Sequence, residues 1–138
     1  MSDLGSTLSA TDGRQRKAGA PTPRPHLFLS FQCERPLAPS ARFCLANTDE
    51  VVIGRGNERS VRRTTEDGAK RLEIRIADPW MSSAHARLVK VFGRWVLEDT
   101  HSKNGTLLNG EVCQREHLLD RARIELGHTF FFSRDALP

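Results

Sequence analysis

The chain has 138 residues, 38% of them hydrophobic and 28% charged, and its 21 basic and 17 acidic side chains give a formal net charge of +4. That length holds one domain with some spare chain. No apolar run approaches the ~20 residues of a membrane helix, and collagen-like or disulfide-dense compositions are excluded, while the mild positive charge permits an anionic partner without identifying one.

Residues 1–25 are rich in Ser, Thr, Gly, Ala, Pro and basic residues, and they end in PTPRP. They hold too little apolar surface to offset ordering entropy, so a disordered leader is expected. The first twenty residues show no apolar h-region of a secretory signal, and residue 2 is Ser rather than a myristoylatable Gly. A cytoplasmic location is expected. The cysteines Cys33, Cys44 and Cys113 are odd in number and form no C-x-x-C pair, which argues for free thiols and against a zinc site. No cofactor or metal is expected. Asn104-Gly105-Thr106 matches a glycosylation acceptor only formally, given no secretory signal.

From His26 the texture becomes strand-like: HLFLSF, ARFCLAN (41–47) and EVVIGR (50–55). RLEIRIAD (71–78) alternates Leu72, Ile74 and Ile76 with charged neighbours, the period of a half-buried strand. HARLVKVFG and RWVLED pivot at Gly93. Four short strand pieces follow, TLLNG, EVCQ, ARIEL and TFFFSR, with Asn109-Gly110 between TLL and EV as a two-residue hairpin signal. Phe130, Phe131 and Phe132 should split between core and surface. One helical turn is expected near Gln114–Asp120. The polar stretch 56–70 shows no periodicity and reads as a loop insertion. Counted from Arg55 to Arg71 inclusive, this region holds six basic and three acidic residues. The predicted class is all-β, a sandwich or barrel.

Three loop motifs stand beside predicted strands: Ile53-Gly54-Arg55, Ser82 to Ala86, and Ser102-Lys103-Asn104-Gly105-Thr106. Loops cluster at the ends of a sandwich, so these can be collected at one end. Together they offer a guanidinium, an ammonium, two hydroxyls and an amide, a donor set suited to a tetrahedral dianion such as a phosphate ester. No convergent carboxylate accompanies them. Ser82 and His85 lie close in sequence but lack an orienting acid, so an enzyme is not expected.

The ordered set I-G-R, S-x-x-H-A, W-x-L-E-D and S-x-N-G-T-x-x-N-G resembles the forkhead-associated (FHA) domain. Here these motifs are Ile53 to Arg55, Ser82 to Ala86, Trp95 to Asp99 and Ser102 to Gly110. The resemblance covers about residues 26–135, and it implies an 11-stranded β-sandwich that binds phosphothreonine peptides through loops at one end. Carried over by position, Arg55 and Ser82 would contact the phosphate. Ser83 and Lys103 would add contacts, and Asn104 would hold the peptide main chain. Gly54 and Gly105 would permit tight loops, and His85 would link the loops as a support. The implied partner is a phosphothreonine-containing protein, a Ser/Thr kinase or its substrate. Trp80 to Ala86 and the long basic stretch also resemble the N-terminal FHA module of bacterial sigma-54-type transcriptional activators.

The sequence departs from the family pattern in three places. The Arg55–Ser82 segment is long, and its arginines are expected to neighbour the binding end and favour acidic flanks. A common D-G-D turn reads Asp120-Arg121-Ala122. Ser83 stands where Arg is frequent. The rival reading is a phospho-independent interaction or oligomerisation domain on the same scaffold. Direct nucleic-acid binding is disfavoured, since no helix-turn-helix, RNP or aromatic stacking motif is present. Thr22, followed by Pro23, is a candidate phosphosite that the domain would read in the same chain.

Overall fold

Alternating burial along the chain sorts its residues into two stacked sheets. A computed structural model describes residues 22–137; the expected disorder of residues 1–21 lies outside the described residues. The strands in chain order are β1 (Arg24–Gln32), β2 (Ala41–Cys44), β3 (Glu50–Arg55), β4 (Ser60–Glu66), β5 (Ala69–Ile76) and β6 (Ala86–Val91). Then come β7 (Arg94–Asp99), β8 (Thr106–Leu108), β9 (Glu111–Val112), β10 (Arg115–His117), β11 (Arg123–Leu126) and β12 (Thr129–Ala136). One sheet runs β2-β1-β12-β11-β8-β9 and the other β10-β7-β6-β3-β5-β4. The all-β sandwich expectation holds, with twelve strands rather than eleven. β1 begins at Arg24, two residues before the expected boundary.

Two sequence expectations are corrected. Residues 56–70 are not a loop, because Ser60–Glu66 forms the edge strand β4, paired from Ser60↔Arg75 to Glu66↔Ala69. Asp67 (φ 51°) and Gly68 (φ 80°) make its turn, the pair of left-handed residues that a type I′ hairpin needs. The seven residues of β4 are all exposed, so no apolar alternation marked it. Near Gln114–Asp120 there is no helical turn but strand β10, anchored on β7 by Arg115↔Glu98. The Phe92-Gly93 and Asn109-Gly110 turns carry positive φ throughout, as expected of two-residue hairpins.

The core lies between the sheets. Leu27 and Leu29 of β1, Val51 and Ile53 of β3, Leu72, Ile74 and Ile76 of β5, Leu88, Leu97, Ile124, Leu126 and Phe131 are all essentially inaccessible. Burying each such side chain is worth about 1.5–3 kcal/mol. In β12, Phe131 is buried while Phe130 and Phe132 are only half-buried, which is the split that alternation predicts.

Register then decides where the loops go. β3 and β5 are parallel, with Arg55 opposite Ile76, so both strands deliver their following loops to the same end. β6 starts there, with Ala86 opposite Ile53, and β7 ends there, with Asp99 opposite Ala86. Three pairings thus bring residues 55, 77–85 and 100–105 to one rim.

Candidate functional site

At that rim is an open cleft of about 400 Å³, lined by Arg55, Pro79, Trp80, Met81, Ser82, Lys103 and Asn104. Two of the lining side chains are cations and none is a carboxylate. Four of the five residues expected to contact a phosphopeptide therefore line one cleft, and the fifth, Ser83, touches it through Arg55.

Arg55 ends β3 and is exposed. Its backbone N–H donates to the Ser82 carbonyl at 2.9 Å. The guanidinium donates through Nη1 to the Met81 carbonyl (3.1 Å) and through Nη2 to Ser83 Oγ (3.3 Å). Two of five guanidinium N–H groups are used for orientation, leaving three for a ligand. Arg75 holds the same loop from β5 by donating to the carbonyls of Ser83 (2.5 Å) and Arg55 (3.3 Å). Gly54 is required for space: a Cβ there would fall on the Ser83 carbonyl.

Ser82 Oγ accepts the Lys103 backbone N–H at 2.9 Å. A hydroxyl that accepts in this way keeps its own proton to donate outward. The same bond ties the second loop to the third. Asn104 Nδ2 donates to the Trp80 carbonyl at 2.8 Å, which leaves its Oδ1 as an acceptor for a peptide N–H.

His85 is fully buried. The Ser82 N–H donates to its Nδ1 at 3.0 Å, and its Nε2 meets the Gly105 carbonyl at 2.7 Å. An accepting Nδ1 requires the proton on Nε2, so the neutral ring bridges the second and third loops. With both nitrogens on backbone groups, His85 is a brace and not a base for Ser82. Gly105 sits at φ 84°, where a Cβ is disfavoured.

Several supporting residues escaped sequence reasoning. Asp99 accepts from Ser102 N–H (3.1 Å), Ser102 Oγ and Thr106 Oγ1 (2.7 Å), and Ser102 Oγ in turn accepts the Gly105 N–H at 3.0 Å. Burial works to raise the pKa of Asp99, but these donors outweigh it and hold the carboxyl below its ordinary range. Asp78, also buried, accepts from the backbone of Trp80 (2.8 Å) and His128 (2.8 Å) and from Thr129 Oγ1 (2.7 Å). It joins the cleft to the β11–β12 turn, where His128 stacks on Trp80 at 4.8 Å between centroids. Trp80 is half-exposed, so it forms a wall of the cleft. The aspartate that ends W-V-L-E-D, three residues before Ser102, was the available signal for the Asp99 brace.

The basic stretch neighbours the rim only at its start, where Ser60 lies opposite Arg75, and its arginines are held by partners outside the cleft. Arg62 pairs with Glu73 at 2.9 Å and Arg71 with Glu50 at 3.1 Å. Arg63 donates to Thr48 Oγ1 and the Cys44 carbonyl, and Arg59 to Gln32 and the Pro39 carbonyl. The β4–β5 turn, opposite in strand direction, lies at the far end. Thr22 is also misplaced for a same-chain reading. It precedes β1, whose other end abuts the His128 turn through Cys33 N–H to the His128 carbonyl. The nine residues of β1 span about 30 Å, and Pro23, the one residue between Thr22 and Arg24, cannot cover that.

Comparison with known proteins points the same way. No curated protein matches the chain. The fold is similar to the FHA-1 domain of Mycobacterium tuberculosis Rv1747, at 25% identity and TM-score 0.53 over 85% of this chain and 99% of that one. It is similar to the FHA domain of CT664 from Chlamydia trachomatis, at 20% identity and TM-score 0.57 over 81% and 98%. It is also similar to part of M. tuberculosis EmbR, solved with a low-affinity phosphopeptide, at 16% identity and TM-score 0.54 over 82% of this chain and 25% of that one. The FHA domain family model matches residues 51–127, which run from β3 through all three rim loops to the β11–β12 turn. With that match over more than half its length, the chain belongs to the FHA domain family.

Proposed function

We propose that this rim binds a phosphothreonine peptide within a partner protein. The observation that carries the reading is the Arg55 guanidinium, fixed by Met81 and Ser83 with three donors to spare, in a cleft whose lining also holds Ser82 and Lys103 and no carboxylate. A phosphate monoester brings ≈ −1.5 to −2 charge near pH 7 and three acceptor oxygens. Arg55 and Lys103 supply the charge, the Ser82 hydroxyl a directed donor, and Asn104 Oδ1 an acceptor for the peptide backbone. The relatives' behaviour supports this: one similar structure is of EmbR with a phosphopeptide, and another comes from work on phosphothreonine-dependent FHA domain interactions. Preference for threonine over serine is expected to be modest, since one buried methyl is worth ~1 kcal/mol.

The wider setting we infer is bacterial signal transduction in the cytoplasm, with a Ser/Thr kinase or its substrate as partner. The finer assignment, the sensor part of a transcriptional regulator, is supported by the sequence resemblance over Trp80–Ala86.

The test is calorimetry with a phosphothreonine peptide and its unphosphorylated twin. Arg55→Ala should abolish measurable binding while the thermal melt stays near wild type. Equal affinity in that variant, or partner capture that survives phosphatase, would instead favour a phospho-independent interaction domain.

A further inference from the structure

The two sheets turn very different faces to solvent. On the outside of the second sheet the arginines are engaged in ion pairs. Arg62 and Arg75 meet Glu73, Arg71 meets Glu50, Arg87 meets Glu50 and Glu98, and Arg115 meets Glu98. The outside of the first sheet carries aromatic rings instead. Phe28 of β1 lies opposite Phe132 of β12, and Phe31 opposite Phe130. Phe28, Phe130 and Phe132 alternate with the buried Leu27, Leu29 and Phe131, and a register shift between Leu29 and Phe31 brings Phe31 to the same outer face beside Phe130. Four of the seven phenylalanines of the chain are thus spent on one outer face. Phe28 and Phe132 stack at 4.8 Å with their planes 6° apart, and Phe31 is 45% exposed.

The same face is basic. Arg42 of β2 lies opposite Phe28, Arg123 of β11 opposite Phe132, and Arg134 is two residues beyond Phe132 on β12. All three are exposed. Among the described residues, no carboxylate lies within ion-pair distance of them. Glu125 is the one acidic residue in the Phe31–Phe130 row. A contiguous apolar patch of this kind marks an interaction surface, and its charge selects the occupant. A second copy would set arginines against arginines. The residues before β1 hold Arg14, Arg16 and Lys17 against Asp3 and Asp12, so their charge also has the wrong sign to cover the face.

We propose that this sheet face binds single-stranded nucleic acid. The edges of the stacked Phe28–Phe132 pair and the exposed ring of Phe31 offer apolar contact to unpaired bases, and the flanking arginines meet the phosphates. A duplex hides its base faces and gains only the charge term. The sequence shows no such motif because the rings come from two segments about a hundred residues apart, joined only by the β1–β12 pairing. The proposal is independent of the Arg55 cleft, which opens at the rim.

The test is fluorescence anisotropy of the full chain with a labelled 12-nucleotide mixed-sequence single strand, RNA and DNA in parallel, and a duplex of the same length. At 50 mM salt the single strand should bind at least about tenfold more tightly than the duplex. The logarithm of affinity should fall with log salt at a slope of roughly −2, as for about three phosphates on a single strand. Phe132→Ala should weaken single-strand binding about tenfold and leave duplex binding unchanged. Arg123→Glu with Arg134→Glu should weaken both, and Arg55→Ala neither. The folds of the Phe132 and Arg123/Arg134 variants are checked by circular dichroism and by retained phosphopeptide binding, and that of Arg55→Ala by circular dichroism alone, with Phe130→Ala in reserve if Phe132→Ala unfolds. Absence of binding, equal affinity for strand and duplex, or insensitivity to the Phe substitution in a folded variant would overturn the proposal. So would preferential binding to phosphatidylserine vesicles, or dimerisation through this face in light scattering.

Discussion

Two residues show how position, not residue type, sets the cost of a substitution. Gly54 is needed because the Ser83 carbonyl occupies the place of a Cβ. Gly54→Ala must therefore push the Ser83 loop away from β3 and take the Arg55 anchor with it. We expect a loss of about 1–3 kcal/mol in chemical denaturation together with loss of phosphopeptide binding in calorimetry; an unchanged affinity would show that the Ser83 loop does not position Arg55. Arg121 is the opposite case. It sits at φ 67° in the turn where the family commonly has D-G-D, and its N–H still donates to the Ser133 carbonyl at 2.8 Å. An L residue is strained there, so Arg121→Gly should stabilise the domain by about 0.5–1 kcal/mol after the entropic cost of glycine. A lower denaturation midpoint would refute this.

At the scale of elements, what was legible follows from burial. β3, β5, β6 and β7 alternate or run apolar because one face meets the core, and each appears in the sequence as a strand. β4 is an edge strand with no buried residue; its pairing to β5 rests on backbone bonds and arginine–glutamate contacts, which leave no apolar period. The only clue was Asp67-Gly68, a two-residue turn signal inside a polar run. The cleft residues and the His85 brace were legible by motif, from Arg55 to Asn104, but Asp78 and Asp99 were not, because they act on loop N–H and hydroxyl groups whose positions the sequence does not display. Asp99 shows what such a brace does. Its three accepted bonds fold the 102–106 loop that presents Lys103 and Asn104. Hydrogen bonds to a charged group are worth about 1.5–3 kcal/mol, so Asp99→Asn should lower stability by an amount of that order and weaken phosphopeptide binding. A stable variant with full affinity would mean the loop holds its shape without the carboxylate.

Across the whole molecule, the net charge of +4 is unevenly spread. One sheet face is a lattice of ion pairs, the other an aromatic face edged by arginines, and the rim a cleft with two cations. Acid acts on this distribution through two carboxyls held below their ordinary range. Glu73 is held there chiefly by the hydrogen bond from Arg75, with Arg62 adding to it, and Asp99 by Ser102 and Thr106 against the effect of burial. A carboxyl with a depressed folded-state pKa stabilises the fold fully above its unfolded value, about 3.9 for Asp and 4.3 for Glu. That contribution is lost as pH falls through the lower folded value. The melting temperature should therefore be flat with respect to these groups above about pH 5 and drop below about pH 4. Glu73→Gln and Asp99→Asn should each flatten the acid limb, and the two effects should add, because Glu73 and Asp99 share no hydrogen-bond partner. Protonation of Asp99 also loosens the loop that carries Lys103 and Asn104. Phosphopeptide affinity in wild type should then fall on acidification more steeply than the titration of the phosphate alone predicts. In Asp99→Asn that excess should vanish; its persistence would place the acid-sensitive group elsewhere in the cleft.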